Sequence, residues 1–129
     1  HQGVGASMNE LAQFRMGRFF ECLEEAALLS EKKHYNACVN RLYYACFYAV
    51  NALLAVTGKS SVKHAGVRAL FNLHFVKEGI VPRDMAAVYN DLFEARQESD
   101  YQDFFTVDEA TALDYIKPAE QFVKFIDSY

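Results

Sequence analysis

Three side chains capable of chemistry stand where helical packing would ordinarily place apolar ones. Met85, Tyr89, Leu92 and Arg96 follow one another at steps of four, three and four, so Arg96 continues an apolar helix face, with Asp100 one turn further. A guanidinium on such a stripe is costly unless it is paired, or opens onto an interface or a wet pocket. Two alternatives follow: a structural Arg96–Asp100 pair that closes the helix, or a functional pocket that receives an anion. Arg41 raises the same problem. It stands where another helix becomes apolar nearly all round, and Tyr44, Tyr48 and Asn51 continue its face at steps of three, four and three. Tyrosines so placed are ordinarily core residues whose hydroxyl reaches a partner. Gathered with an arginine inside a bundle, they would line something. His64 precedes the apolar face of a third helix and shares a side with Arg68 and Phe71. Imidazole exchanges protons near neutral pH, although a lone histidine also serves as a hydrogen-bonded structural group. His34 reads as a start-of-helix residue, and His74 has a weaker case than His64.

Other chemistries lack their residues. No pair of histidines has metal-ligand spacing, no Gly-rich phosphate loop exists and no Ser/His/Asp order stands out, so neither a metal nor a cofactor is expected. The formal net charge of -4 argues against a broad electrostatic footprint on DNA or RNA but leaves room for a local basic pocket. Cys22, Cys38 and Cys46 sit in apolar helical context without a CxxC pattern. They read as reduced, buried thiols, and hence as those of a cytoplasmic protein. No apolar run approaches the ~18 residues of a membrane span.

Helices must position these groups. Hydrophobic residues make up 52% of the 129, enough for one core. The opening HQGVGAS, residues 1–7, reads as a tag remnant, with a single domain over residues 8–129. Ser7 and Glu10 have capping-box spacing, and the helix they open, to about Ser30, places Ala12, Met16, Phe19, Leu23 and Ala26 on one face, with Glu21, Glu24 and Glu25 in water. His34 to about Thr57 forms a second helix ended by Gly58. Its segment LYYACFYAV, residues 42–50, is apolar on nearly every side, which belongs in the middle of a bundle. A third helix runs from about Val62 to Lys77, with Val67, Leu70, Phe71 and Phe75 inward. The fourth begins near Asp84 as N-cap. The fifth opens with a capping box at Thr106 and Glu109, carries Leu113, Ile116, Phe122, Val123 and Ile126 inward, and should be kinked or split by Pro118. Short connections imply an all-α, mostly antiparallel four- to five-helix bundle.

The run NRLYYACFYAVNALL (residues 40–54), then KHAGVRALF (63–71), then ARQESDY (95–101), resembles the HEPN family, the higher eukaryotes and prokaryotes nucleotide-binding domain, in its uncharacterised prokaryotic branch. The likeness covers about residues 10–128. It implies an antiparallel helical bundle, commonly a homodimer, that binds nucleotide or RNA and often works with a small nucleotidyltransferase as toxin and antitoxin. Catalytic members are metal-independent endoribonucleases with an arginine followed four to six residues later by a histidine. There imidazole removes the proton of the ribose 2′-hydroxyl and arginine stabilises charge on the phosphoryl oxygens. Arg96 matches the arginine, but Asp100, Tyr101 and Gln102 stand where the histidine should fall. The resemblance thus implies either a degenerate centre that binds through Arg41, Tyr44, Arg96 and Tyr101 without cutting, or a ribonuclease in which His64 supplies the imidazole beside Arg96, with Asp100 in support. A purely structural bundle is the third alternative.

Overall fold

The computed structural model describes residues 6–101 and 106–129, excepting the side chains of residues 6–9, 11, 12, 16 and 99–101. Among the described residues five α-helices follow in order: α1 (Ala6–Glu31), α2 (Tyr35–Val56), α3 (His64–Phe71), α4 (Arg83–Tyr101) and α5 (Glu109–Ser128). A single π-helical turn, Asn72–Val76, extends α3. The all-α expectation holds, and among the described residues no strand occurs.

The central helix is α2, which packs against α1, α3, α4 and α5. Its sequence dictates this, because apolar residues on every side leave no face that prefers water. Cys38, Leu42, Tyr43, Ala45, Cys46, Ala49 and Val50 are all fully buried. His34 occupies the N-cap and Thr57 the C-cap. Gly58 follows at φ 75, the left-handed conformation in which a helix commonly ends and which glycine adopts without a Cβ clash. Cross-links fix the directions of the neighbours. Arg15, early in α1, donates to the carbonyl of Asn51, late in α2, while Glu25 late in α1 pairs with Arg41 early in α2. These two helices are therefore antiparallel. Likewise Arg68 of α3 meets Glu94 of α4, and Asn72 meets Asn90, so the third and fourth helices also run in opposite senses.

Several local expectations shift. Helix α1 includes Ser7, so that residue lies inside the helix and not at its cap. Helix α4 begins at Arg83, which puts Asp84 in the first turn; its carboxylate suits the positive end of the helix from there. The cap of α5 is Asp108, two residues after Thr106: its carboxylate accepts from the Thr111 amide at 2.8 Å. Hydrogen bonding from Thr111, by its side chain first and then by this amide, holds Asp108 below the usual carboxylate range. Leu113 is exposed, and Ala112 takes the inward position. Helix α5 continues through Pro118 without being split. Pro118 and Asp114, whose carbonyl the proline nitrogen cannot serve, are both exposed, so water can satisfy that oxygen.

Candidate functional site

The site is built around Tyr43, a residue whose own side chain is fully buried. Its hydroxyl lies 2.8 Å from Nδ1 of His64, at the first turn of α3. Its ring lies 5.3 Å below the guanidinium carbon of Arg96 from α4. The phenol is thus a hub that brings a histidine and an arginine, 32 residues apart in sequence, to one place. Burial pushes the Tyr43 phenol well above its ordinary value, against the smaller opposing pull of Arg96. The hydroxyl stays protonated at any physiological pH.

His64 is locked as well as bonded. Its ring stacks on Phe47 at 4.2 Å between centroids with 15° between planes, and meets the edge of Tyr44 at 5.9 Å. Local chain geometry delivers it there. Ser61 Oγ accepts from the Lys63 amide, folding the chain into α3, and Gly66 lets that turn come close: a Cβ at Gly66 would collide with the Ser61 side chain.

Tyr44 is the second hub. The guanidinium carbons of Arg41 and Arg96 lie 5.1 and 5.4 Å from its ring centroid, so two cations share one π-system. Arg41 itself is turned toward α1, where it reaches Glu25 at 3.3 Å, Asn40 at 3.4 Å and the Cys22 sulfur at 3.9 Å. The stripe that it begins stays together. Tyr48 lies under Arg18 at 5.3 Å, and the Asn51 side chain donates to the Phe47 carbonyl. Between Arg41 and Ala55, where the rest of α2 is buried, Arg41, Tyr44, Phe47, Tyr48 and Asn51 are only half-buried. The result is one aromatic strip with cations from α1, α2 and α4 along it.

Four of the six sequence-derived candidates fall on described side chains. Arg96, His64 and Tyr44 converge, and Arg41 touches the cluster through Tyr44. The Asp100 and Tyr101 side chains lie outside the described residues, so the anticipated Arg96–Asp100 pair does too. Sequence reasoning missed Tyr43 and Phe47, which it left in the core, and did not assign Arg68 to the site. Arg68 lies 3.9 Å over the Phe93 ring, pairs with Glu94 at 2.7 Å, and is close enough to pull on Tyr43. The signal for Tyr43 was available in principle, because a fully buried phenol needs a polar partner. Which partner depends on tertiary packing.

A separate cleft of about 430 Å³ between α4 and α5 is lined by Asp91, Glu94, Glu98, Asp108 and Tyr115. The Tyr115 phenol is pushed up by burial and then by Asp91 and Glu98. The carboxylates of that cleft disfavour an anion, whereas the guanidinium groups of Arg41 and Arg96 lie over the Tyr44 ring of the strip. Among the described residues no group of His, Cys, Asp and Glu could hold a metal ion, and no helix is long and apolar enough to cross a membrane.

Comparison with known proteins agrees with this architecture. The HEPN domain family matches residues 13–129. A UPF0332 protein of Thermotoga maritima is 41% identical over 123 residues, covering 93% of each chain. A UPF0332 protein of Archaeoglobus fulgidus is 30% identical over 117 residues, 91% of this chain and 92% of its own. The Methanocaldococcus jannaschii protein named "Putative toxin MJ0605" is 38% identical over 104 residues, 80% of this chain and 76% of its own. With its all-α bundle and a family match over nearly the whole length, the chain belongs to the HEPN domain family.

Proposed function

We propose that the protein binds the phosphate-bearing backbone of RNA, or a nucleotide, at the Tyr43–Tyr44 strip, and acts as the toxin-type member of a pair with a small nucleotidyltransferase. The observation that carries this reading is the convergence of His64 and Arg96 on Tyr43, beside half-buried aromatic rings. Single-stranded nucleic acid is held by this combination: cations track the backbone while bases stack on aromatic faces. Guanidinium suits a phosphate oxygen pair better than ammonium does. Two relatives carry the word toxin in their names, which supports the toxin-type role. A homodimer and roles for Asp100 and Tyr101 belong to the same proposal.

The test is fluorescence anisotropy of a labelled single-stranded RNA with purified protein in chelator. Binding that Arg96→Met removes, with the thermal midpoint unchanged, is the expected result; equal binding by wild type and variant would refute it. A second reading, metal-independent cleavage of RNA, draws on the same pairing of imidazole and guanidinium. Cleavage in chelator that both Arg96→Ala and His64→Ala abolish would establish it, and intact RNA at high protein concentration would dismiss it.

A further inference from the structure

We infer that the site continues along α2 past Tyr44 and holds three consecutive phosphates of a single-stranded RNA, with Arg18 and Arg15 of α1 taking the second and third. The inference rests on the binding function proposed above and chooses between its two ligands: an oligonucleotide, not a mononucleotide.

The spacing comes from two antiparallel helices. Between Arg41 and Ala55 the half-buried residues of α2 are Arg41, Tyr44, Phe47, Tyr48 and Asn51. They share one side of the helix and run for about 15 Å along its axis. The Tyr44 and Tyr48 ring centroids are 6.0 Å apart, and Asn51 follows three residues after Tyr48. A guanidinium stands at each of these levels. Those of Arg41 and Arg96 lie 5.1 and 5.4 Å from the Tyr44 centroid. That of Arg18 lies 5.3 Å from the Tyr48 centroid, and Arg15 donates to the Asn51 carbonyl at 3.1 Å. Arg15 and Arg18 are themselves one turn apart on α1, so the cations advance with the rings. Phosphates of a single RNA strand succeed one another at about 6 Å, close to the ~5.4 Å of a helical turn. A strand laid along α2 therefore meets a cation at each of three phosphates.

Charge calls for an anion at the Asn51 end. Among the described residues Arg15 pairs with no carboxylate. Its bond to a backbone carbonyl uses a single N–H of the guanidinium and neutralises no charge. Arg15 is half-buried, and a cation drawn out of water without a counter-ion is costly. A phosphate supplies that counter-ion. Arg18 has Glu21, but the two stand on adjacent turns of one helix within reach of water, and such a pair contributes little. Arg41 already has Glu25 at 3.3 Å, so it attracts a phosphate less than Arg15 does. Between the cations lie the rings of Tyr44, Phe47 and Tyr48. Bases stack on such rings, and a bare polyanion makes no use of them.

Two measurements on the full chain test this, both in chelator with a labelled single-stranded RNA as probe. In the first, unlabelled oligouridylates of one to six nucleotides, each with a 5′-phosphate, displace the probe. Affinity should rise about fivefold or more with the second phosphate and again with the third, then level off within about twofold. In the second, the salt dependence of probe binding is compared between wild type and Arg15→Met/Arg18→Met. The wild-type log–log slope should be about -2 and the double variant's about -0.7, with one phosphate contact left. Uridine monophosphate should compete equally well for both proteins. Arg18→Gln alone, which gives up an exposed ion pair, should move the slope by one phosphate contact even where the double variant does not fold. Sedimentation of each protein shows whether a second copy of the chain covers the strip instead. Failure of the wild type to bind the probe would overturn the function beneath the inference. A flat length series, a slope indifferent to the substitutions, or variants that change the oligomeric state while keeping the wild-type length series, would overturn the inference alone.

Discussion

Arg96 and Tyr89 lie two turns apart on one face of α4 and illustrate opposite uses of a polar group there. Tyr89 is packed between Tyr43 and Phe122 at 6.3 and 6.1 Å, and its hydroxyl has no hydrogen-bond partner among the described residues. Burial pushes that phenol far up, so it remains a neutral passenger in the core. Tyr89→Phe should leave the protein as stable or up to about 1 kcal/mol more stable, measured by denaturant unfolding, because an unpaired hydroxyl contributes nothing. A loss above about 1 kcal/mol would mean that the hydroxyl is satisfied after all. Arg96 could be seen in the sequence as a charge out of place, because its spacing from Leu92 and Tyr89 needs only helical periodicity. Tyr43 could not be told from Tyr44 in the same way. Adjacent tyrosines differ by 100° around the helix axis. Which of them meets His64 is settled by how α3 docks, and spacing within α2 does not report that.

The helices were legible where a pattern repeats over several turns and less so at their ends. The position of α2 at the centre follows from apolar residues on all its sides, and the structure agrees. Cap positions shifted because Thr106 and Asp108 are both capping residues, and only Asp108 finds the Thr111 amide. Asp108→Ala should lower the thermal midpoint at neutral pH, while Asp108→Asn should retain most of it. The folded carboxyl titrates below its unfolded value of about 3.9, so its contribution is present above that pH and disappears as pH falls through the folded value. The wild-type advantage over Asp108→Ala should therefore shrink on acidification. Gly66 offers a sharper check at this scale. Helix propensity alone says that Gly66→Ala gains about 1 kcal/mol. A Cβ there would drive the Ser61 hydroxyl off the Lys63 amide and loosen the turn that leads to His64, so the midpoint should fall and RNA affinity with it. A rise in both would contradict the close approach.

Taken whole, the molecule carries a net charge of -4 yet collects Arg18, Arg41, Arg96 and Arg68 near one aromatic strip. Glu21, Glu25 and Glu94 partly neutralise three of them. RNA binding should therefore depend on salt only modestly, with a log–log slope of about -1 to -3, at about -0.7 per phosphate contacted. The three cysteines are fully buried, and burial raises each thiol, Cys46 most clearly. A thiol reagent should leave all three unmodified in the native state and modify all three on unfolding. The measurement that bears most directly on the site is RNA anisotropy in chelator for wild type and Arg96→Met, each with its thermal midpoint. The expected result is an affinity loss of about tenfold or more at an unchanged or higher midpoint. Undiminished RNA binding by the methionine variant would contradict a guanidinium that holds phosphate there.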